Sequence, residues 1–345
     1  MDLDVKEILS RLVAGESLSR EVARATFLEL LAGRMEGAQI GAMLALIQRR
    51  GATVDELVGA GEAMRANVLV VERPPGNTAP VIDTCGTGGT PKTFNISTAA
   101  AIVAAAAANG RMLVAKHGNK SRSGRGSAEV LRELGVNIDA PPATQTECFA
   151  ECGVCFCFSV NHHPAMKHAA AARVALGFPT MFNLLGPLTN PARAERQLMG
   201  VMGPQYVEPM ARTLAALGST RAMVVHSDDG MDEISISAPT RIAQVENGVV
   251  SLGVIDPISM GVARWDQKDL IVSTVPEAAA AIRDVLAGRR GARRDAVVVN
   301  AAAALLMGGL ESAWEQALFS ASVAIDSGRA ATTLDRLREV SGRAG

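Results

Sequence analysis

Large aromatic side chains are nearly missing: Phe, Trp and Tyr make up 3% of 345 residues, with a single tyrosine. Alanine-rich runs stand in their place, so the core has to close by near approach of helices and not by large rings. Charge is also scarce at 20%, and its signs cancel to a formal net charge of −1. Such a balance gives no field to hold a nucleic-acid backbone or an anionic membrane, and neither is expected as a partner. No apolar run is long enough to span a bilayer; Ile102 to Asn109 is short and reads as a core helix. Met1-Asp2-Leu3-Asp4-Val5-Lys6-Glu7 lacks the basic and apolar regions of a secretion signal, so a cytoplasmic location is expected. Cysteines are few and odd in number: five, with four of them from Cys148 to Cys157. Disulfides are not expected in so large an apolar-cored chain. The spacing of Cys148, Cys152, Cys155 and Cys157 could serve a metal. However, Val154-Cys155-Phe156-Cys157-Phe158 alternates like a strand, and no matching pair lies elsewhere, which favours small-residue packing.

What is present is a well-buried globular pattern, 48% hydrophobic, with two compositional zones. Residues 4–68 read as four helices without strand patterning. They are Asp4–Val13, Ser19–Leu31 (introduced by Ser17 and closed by Gly33), Ile40–Arg49 and Thr53–Arg65, where Thr53 and Glu56 form a capping box. Glu72-Arg73-Pro74-Pro75-Gly76-Asn77 is a linker, after which short apolar strands alternate with helices. The expected strands are Val81–Thr84, Met112–Lys116, Val154–Ser159, Leu198–Met202 and Ala222–His226, while Val297–Asn300 reads as strand or helix. Helices are expected at Thr98–Ala108, Ala128–Leu134, Tyr206–Leu217 and through most of 276–340. Ile234–Ser237, Arg241–Val245 and Val249–Leu252 look like an antiparallel excursion. The fold class is therefore α/β: a small N-terminal helical domain, then a large domain with a mainly parallel sheet flanked by helices. The expected division is 1–72 and 73–345, with a helical segment near 168–190 joining the first domain in space.

Polar groups gather at the predicted strand ends, where open α/β sheets hold ligands. Ile82-Asp83-Thr84-Cys85-Gly86-Thr87-Gly88-Gly89 runs from a strand into a glycine turn that lets backbone amides approach an anion. Thr93-Phe94-Asn95-Ile96-Ser97-Thr98 precedes the alanine-rich helix, with Ser97 or Thr98 as its cap and the helix N-terminus as a phosphate seat. At the next strand end Lys116-His117-Gly118-Asn119 supplies a cation, a ring nitrogen and an amide. It leads into the basic, hydroxyl-rich loop Lys120-Ser121-Arg122-Ser123-Gly124-Arg125-Gly126-Ser127. In Asp228-Asp229-Gly230-Met231-Asp232-Glu233, crowded carboxylates beside phosphate loops suit Mg²⁺. His163 and His168 do not have the spacing of a helical zinc pair, whereas Arg173 in a cleft could grip a carboxylate through two bonds.

These segments, in this order, resemble the anthranilate phosphoribosyltransferases, tryptophan-pathway enzymes with the class III nucleoside-phosphorylase-like fold. The likeness covers essentially the whole chain. It is carried by Gly86-Thr87-Gly88-Gly89, Thr93-Phe94-Asn95-Ile96-Ser97-Thr98, Lys116-His117-Gly118-Asn119, His163-Pro164-Ala165-Met166-Lys167, Asn183-Leu184-Leu185-Gly186-Pro187-Leu188-Thr189-Asn190-Pro191 and Gly230-Met231-Asp232-Glu233. The resemblance implies transfer of phosphoribosyl from phosphoribosyl pyrophosphate to the amine of anthranilate, a Mg²⁺ cofactor and a homodimer built through the helical domain. It implies that Gly86, Gly89, Thr90, Thr93, Asn95, Ser97, Thr98, Lys116, Ser123 and Ser127 hold phosphoribosyl pyrophosphate. Anthranilate falls to Gly86, His117, Asn119, His163, Arg173 and Pro187, and the metal to Ser97, Asp232 and Glu233. Lys116, Asn119 and Arg173 are the residues expected to carry catalysis. Two loops depart from the family pattern, each one residue short. Thr90-Pro91 stands where the family shows Asp-Gly, and in the second loop Arg122 and Arg125 are candidates for added phosphate contacts.

Two rival readings share the fold. A nucleoside phosphorylase would use phosphate as nucleophile, against which stand Arg173 and the acidic loop. A non-catalytic relative binding ligands or nucleic acid is disfavoured by the near-zero charge and by Asp232-Glu233.

Overall fold

The computed structural model describes residues 4–88, 93–121 and 124–343. Its helical N-terminal part comprises α1 (Val5–Val13), α2 (Arg20–Leu31), α3 (Gly37–Arg50) and α4 (Val54–Ala66). The capping box at α4 forms as expected, with Thr53 and Glu56 each accepting from the other's backbone N–H. At α2 the cap is Ser19, whose hydroxyl accepts from the Val22 N–H, and not the more distant Ser17.

The second part begins with β1 (Val81–Gly86), α5 (Ile96–Ala108), β2 (Leu113–Gly118), α6 (Ser127–Glu133), α7 (Pro142–Cys152) and β3 (Val154–Phe158). Three helices follow, α8 (Ser159–His162), α9 (Lys167–Leu176) and α10 (Phe182–Leu185), leading to β4 (Arg196–Gly200), α11 (Val207–Ala216) and β5 (Arg221–Ser227). A hairpin of β6 (Thr240–Glu246) and β7 (Val249–Ile255) precedes the closing helices α12 (Val275–Leu286), α13 (Ala292–Met307), α14 (Trp314–Asp326) and α15 (Arg329–Ser341). The sheet order is β3-β2-β1-β4-β5-β6-β7, parallel from β3 to β5 and antiparallel over the last two strands. The chain winds outward from β1 to β3, then returns to the other flank of β1 with β4. The ends of β1 and β4 therefore form the switch point where such sheets open a crevice.

One open sequence reading is resolved here and one expectation fails. Val297–Asn300 lies inside the long helix α13, because the apolar run continues with helical alanines to Met307. Ile234–Ser237 forms no strand: the Asn300 side chain takes both the N–H and the C=O of Ile234, and Thr240 Oγ1 takes the Ser235 N–H. Those backbone groups have no neighbouring strand to pair with.

Strands β4, β5 and β6 alternate their side chains between two cores, whereas the core residues of β1, β2 and β3 all belong to the first. Leu198, Met223, Val225 and Ile242 face a core built on α5, α12 and α13. Met199, Val224, Ala243 and Val245 face a second core shared with the N-terminal helices through Phe27, Leu30, Met43 and Leu44. That second core also holds Ala169, Met181, Phe182 and Leu185, and the Phe27 and Phe182 rings meet edge to face at 5.6 Å. The linker is tied along its length, by Leu69 to His162, by Val71 to Pro191 and by an Arg73–Glu195 ion pair at 2.6 Å. In β3, Cys155 and Cys157 are buried side by side with their sulfurs 3.7 Å apart, while Phe156 and Phe158 stack on the other face.

Candidate functional site

The alanine-rich helix α5 starts at Ile96, two residues earlier than the sequence predicts, with Asn95 as its N-cap residue. Ser97 thus lies inside the first turn and neither it nor Thr98 is the N-cap residue. The first-turn N–H groups of a helix lack intrahelical partners. That of Ser97 is taken by the Glu233 carboxylate at 3.3 Å. An acidic side chain arriving from the β5–β6 connection therefore closes the positive end of α5, a favourable placement for a negative charge.

Beneath this junction Lys116, at the end of β2 and only 4% exposed, donates to the Thr84 carbonyl at 2.7 Å and to Ser97 Oγ at 3.4 Å. Burial lowers its pKa, and Asp83, Cys85, Glu233 and Asp232 pull it back up. Glu233 shows the converse. Low-polarity surroundings, then the adjoining Asp232, push its carboxyl up to about 8, against the Ser97 N–H and Lys116, although part of the side chain still meets the cleft. Asp83 is pushed up by burial to about 6, opposed by Asn190, the His117 N–H and Lys116. Two carboxyls with raised pKa values thus flank one ammonium, a pattern common at functional sites.

Glycines set the depth of the cleft. A Cβ on Gly86 would lie 2.7 Å from Asp232 Oδ2, and one on Gly200 would lie 1.7 Å from the Asp232 carbonyl oxygen. The ends of β1 and β4 are therefore bare so that the acidic loop can rest on them. Gly86, Ser97, Asp232 and Glu233 line the cleft together with Cys85, Gly200 and Asn300. No group of three or more His, Cys, Asp or Glu able to cage a metal occurs among the described residues. Two adjacent carboxylates and the Ser97 hydroxyl instead match the sparse oxygen set on which Mg²⁺ completes its shell with substrate and water.

A second group lies beyond β2. The rings of His117 and His163 are 5.3 Å apart, both buried, and His163 Nε2 is 3.5 Å from Thr189 Oγ1. Burial, then the neighbouring histidines, hold His117 well below the usual imidazole range and His163 down to about 4, so both rings are neutral at pH 7. His117 Nε2 has no protein partner among the described residues. The Pro187 carbonyl accepts from Gln197 Nε2 at 2.6 Å, and Asn190 donates to the Ala115 carbonyl at 2.8 Å, which ties this loop to β4 and β2.

The remaining sequence candidates are spread more widely. Thr93 bridges to Ile271, and Asn95 Nδ2 donates to the Arg125 carbonyl at 3.3 Å. Thr98 is buried, its hydroxyl without a protein partner among the described residues. Ser127 opens α6, where its Oγ lies 2.1 Å from where a Gly118 Cβ would stand. Asn119 is exposed and turns its Oδ1 to the Lys120 N–H at 2.8 Å. Arg173 sits on α9 with its guanidinium 5.0 Å from the Phe182 ring centre. Neither Asn119 nor Arg173 lines the acidic cleft. Arg125 directs one guanidinium N–H to the Val272 carbonyl. Gly89, Thr90, Arg122 and Ser123 lie outside the described residues. Sequence reasoning missed Gly200, Gln197 and Asn300. Of these only Asn300 carried a signal, as a lone amide in the apolar run Val297-Val298-Val299-Asn300-Ala301-Ala302.

Comparison with known proteins agrees with this arrangement. Residues 78–331 match the glycosyl transferase family a/b domain, and residues 6–68 match that family's helical bundle domain. The chain is 44% identical over 338 residues to the anthranilate phosphoribosyltransferase of Methylobacterium nodulans, spanning 97% of this chain and 98% of that one. It is 44% identical over 343 residues to that of Agrobacterium fabrum, at 99% and 98% coverage. The crystal structure of the Thermus thermophilus enzyme superposes with a TM-score of 0.90 at 35% identity, covering 97% of this chain and 99% of that one. The fold is also shared with the Saccharomyces cerevisiae enzyme in complex with phosphoribosyl pyrophosphate and Mg, at TM-score 0.87 and 22% identity, covering 99% of this chain and 98% of that one. The chain belongs to the anthranilate phosphoribosyltransferase family.

Proposed function

We propose that the chain transfers the 5-phosphoribosyl group of phosphoribosyl pyrophosphate to the amine of anthranilate, releasing pyrophosphate, with Mg²⁺ as cofactor. The observation that carries the reading is the junction at Ser97, whose N–H meets Glu233 and whose hydroxyl meets Lys116 at the mouth of the sheet. Complexes of the yeast enzyme with phosphoribosyl pyrophosphate and Mg, and with 4-fluoroanthranilate, support the same substrate pair.

In this reading Gly86, Thr93, Asn95, Thr98 and Ser127 cradle the phosphates around the N-terminus of α5, where unpaired N–H groups and the helix dipole favour anions, and Gly89, Thr90 and Ser123 are assigned to the same substrate from the sequence pattern. Ser97, Asp232 and Glu233 would hold Mg²⁺, which when bound offsets charge on the departing pyrophosphate. Lys116 sets a fixed positive charge below that group, already oriented by Thr84 before substrate arrives. On the far side Asn119 and Arg173 orient the anthranilate carboxylate, while the neutral His117 and His163 rings and Pro187 wall its aromatic face. An aromatic amine is unprotonated at pH 7, so attack on the anomeric carbon needs alignment more than a base. We assign the helical part, 1–72, and the segment near 168–190 to the acceptor side, and 73–345 to the phosphoribosyl side. A second copy docks through the helical part, supported by the exposed Val13 on α1 and Val174 on α9.

Anthranilate fluorescence tests the reading. It should fall on adding phosphoribosyl pyrophosphate and Mg²⁺, and stay constant with EDTA. A phosphate-dependent release of base from a nucleoside, with anthranilate untouched, would replace it by the phosphorylase reading.

A further inference from the structure

The acidic loop needs a rigid floor, and one buried side chain supplies it. Asn300 lies in the middle of α13 and is 2% exposed. Its Oδ1 accepts from the Ile234 N–H at 3.0 Å, and its Nδ2 donates to the Ile234 carbonyl at 2.9 Å and the Ala296 carbonyl at 2.9 Å. One amide therefore satisfies both polar groups of the residue that directly follows Glu233, and it lines the same cleft. At its other end the loop is closed by the Ser227 N–H on the Met231 carbonyl at 2.9 Å, and in its middle Asp232 rests on Gly86 and Gly200. Nothing in the packing of α13 calls for an amide: its neighbours Val297, Val298, Val299, Ala301 and Ala302 are all apolar and buried. A buried amide in such a helix is costly unless every one of its bonds is made.

We infer that Asn300 is a positioning residue for the Asp232–Glu233 cation site, fixing the pair through the backbone of Ile234. The inference rests on reading that pair as the Mg²⁺ site. Loss of the amide frees Ile234 and lets Glu233 leave the α5 N-terminus, so cation affinity falls while the substrate-facing side chains are unchanged. Partners that orient a metal's ligands commonly govern affinity in this way.

The test measures binding of Mn²⁺, by its paramagnetic signal, to the full-length protein without substrates. Asn300→Ala should weaken Mn²⁺ binding about 10-fold or more, within the roughly 10- to 100-fold range usual for such partners. Asn300→Ser is the second variant, because a serine hydroxyl can bond back to the carbonyl four residues earlier, here Ala296, and keep the helix satisfied while still releasing Ile234. It should weaken Mn²⁺ binding to a similar degree. Val299→Ala, which opens a cavity in the same helix, should lower the melting temperature and leave Mn²⁺ binding as in the parent. If Asn300→Ala and Asn300→Ser bind Mn²⁺ as the parent does, while Asp232→Asn and Glu233→Gln do not, Asn300 is structural only and the inference falls alone. If the acidic variants also bind as the parent does, the pair is not the cation site, and the inference falls with that reading.

Discussion

The two halves of the site are built in different ways. On the side proposed for phosphoribosyl, glycines, a helix end and an acidic loop interlock within the ends of β1, β4 and β5. Gly200 admits the Asp232 backbone, Gly86 admits its carboxylate, and the Ser97 N–H meets Glu233. On the acceptor side, the candidate groups come from separate elements: Asn119 after β2, His163 after α8, and Arg173 on α9, which packs against the N-terminal helices. The first half is fixed by backbone geometry that few substitutions leave intact. The second draws on side chains from separate elements, where one residue can change without moving the others. Such an arrangement suits a reaction in which one substrate is held by its charge and the other must be aimed.

That contrast can be broken most sharply at Gly200. Gly200→Ala drives a Cβ to 1.7 Å from the Asp232 carbonyl oxygen, so the acidic loop must lift. The expected result is loss of turnover and of stability by roughly 3 kcal/mol, the upper range for forced overpacking. Thermal unfolding and kcat/KM check both. At Arg173 the effect is confined to one substrate. Arg173→Ala should raise the anthranilate KM roughly 10- to 100-fold, the worth of a charge-assisted bond, with the KM for phosphoribosyl pyrophosphate within about 2-fold.

A subtler effect is carried by pH. The Glu233 carboxyl is held at about 8 in the folded protein, against an ordinary 4.5. Between those values the folded state keeps the extra proton, so the stability present below 4.5 is lost as pH rises through 8. His163, held down to about 4 from an ordinary 6.5, acts in the opposite sense below pH 6.5. From pH 6.5 to 8 His163 is therefore silent while the Glu233 carboxyl titrates. Metal-free protein should melt at progressively lower temperature across it, Glu233→Gln should remove that slope, and saturating Mg²⁺ should reverse it. The smallest effect is expected at Arg125. Its guanidinium is engaged by the Val272 carbonyl. Arg125→Ala should change the KM for phosphoribosyl pyrophosphate less than about 2-fold, as for removal of a group that makes no transition-state contact.

How far the sequence reached follows the same division. Strands β1 and β2, each running two residues past the expected Thr84 and Lys116, the capping box at Thr53 and the loop carrying Asp232 and Glu233 were legible because each rests on local spacing and residue type. The start of α5 was misplaced, since a carboxylate distant in sequence takes the role that a local hydroxyl was expected to fill. Ile234–Ser237 looked like a strand because its hydrophobic alternation is real, while the amide that consumes its backbone bonds sits on α13. The need for glycine at position 200 was invisible, as the crowding comes from a loop that follows two elements later. Asn300 offered a visible oddity but no address, because its partner is fixed only by the packing of α13 beneath the sheet.

The measurement that bears most directly on the divided site is the pair of KM values, one for each substrate, in Arg173→Ala and in Glu233→Gln. Arg173→Ala should raise the KM for anthranilate and spare that for phosphoribosyl pyrophosphate. Glu233→Gln should do the reverse, with a raised Mg²⁺ requirement. If Arg173→Ala instead raises the KM for phosphoribosyl pyrophosphate and leaves that for anthranilate unchanged, the assignment of the two halves is wrong.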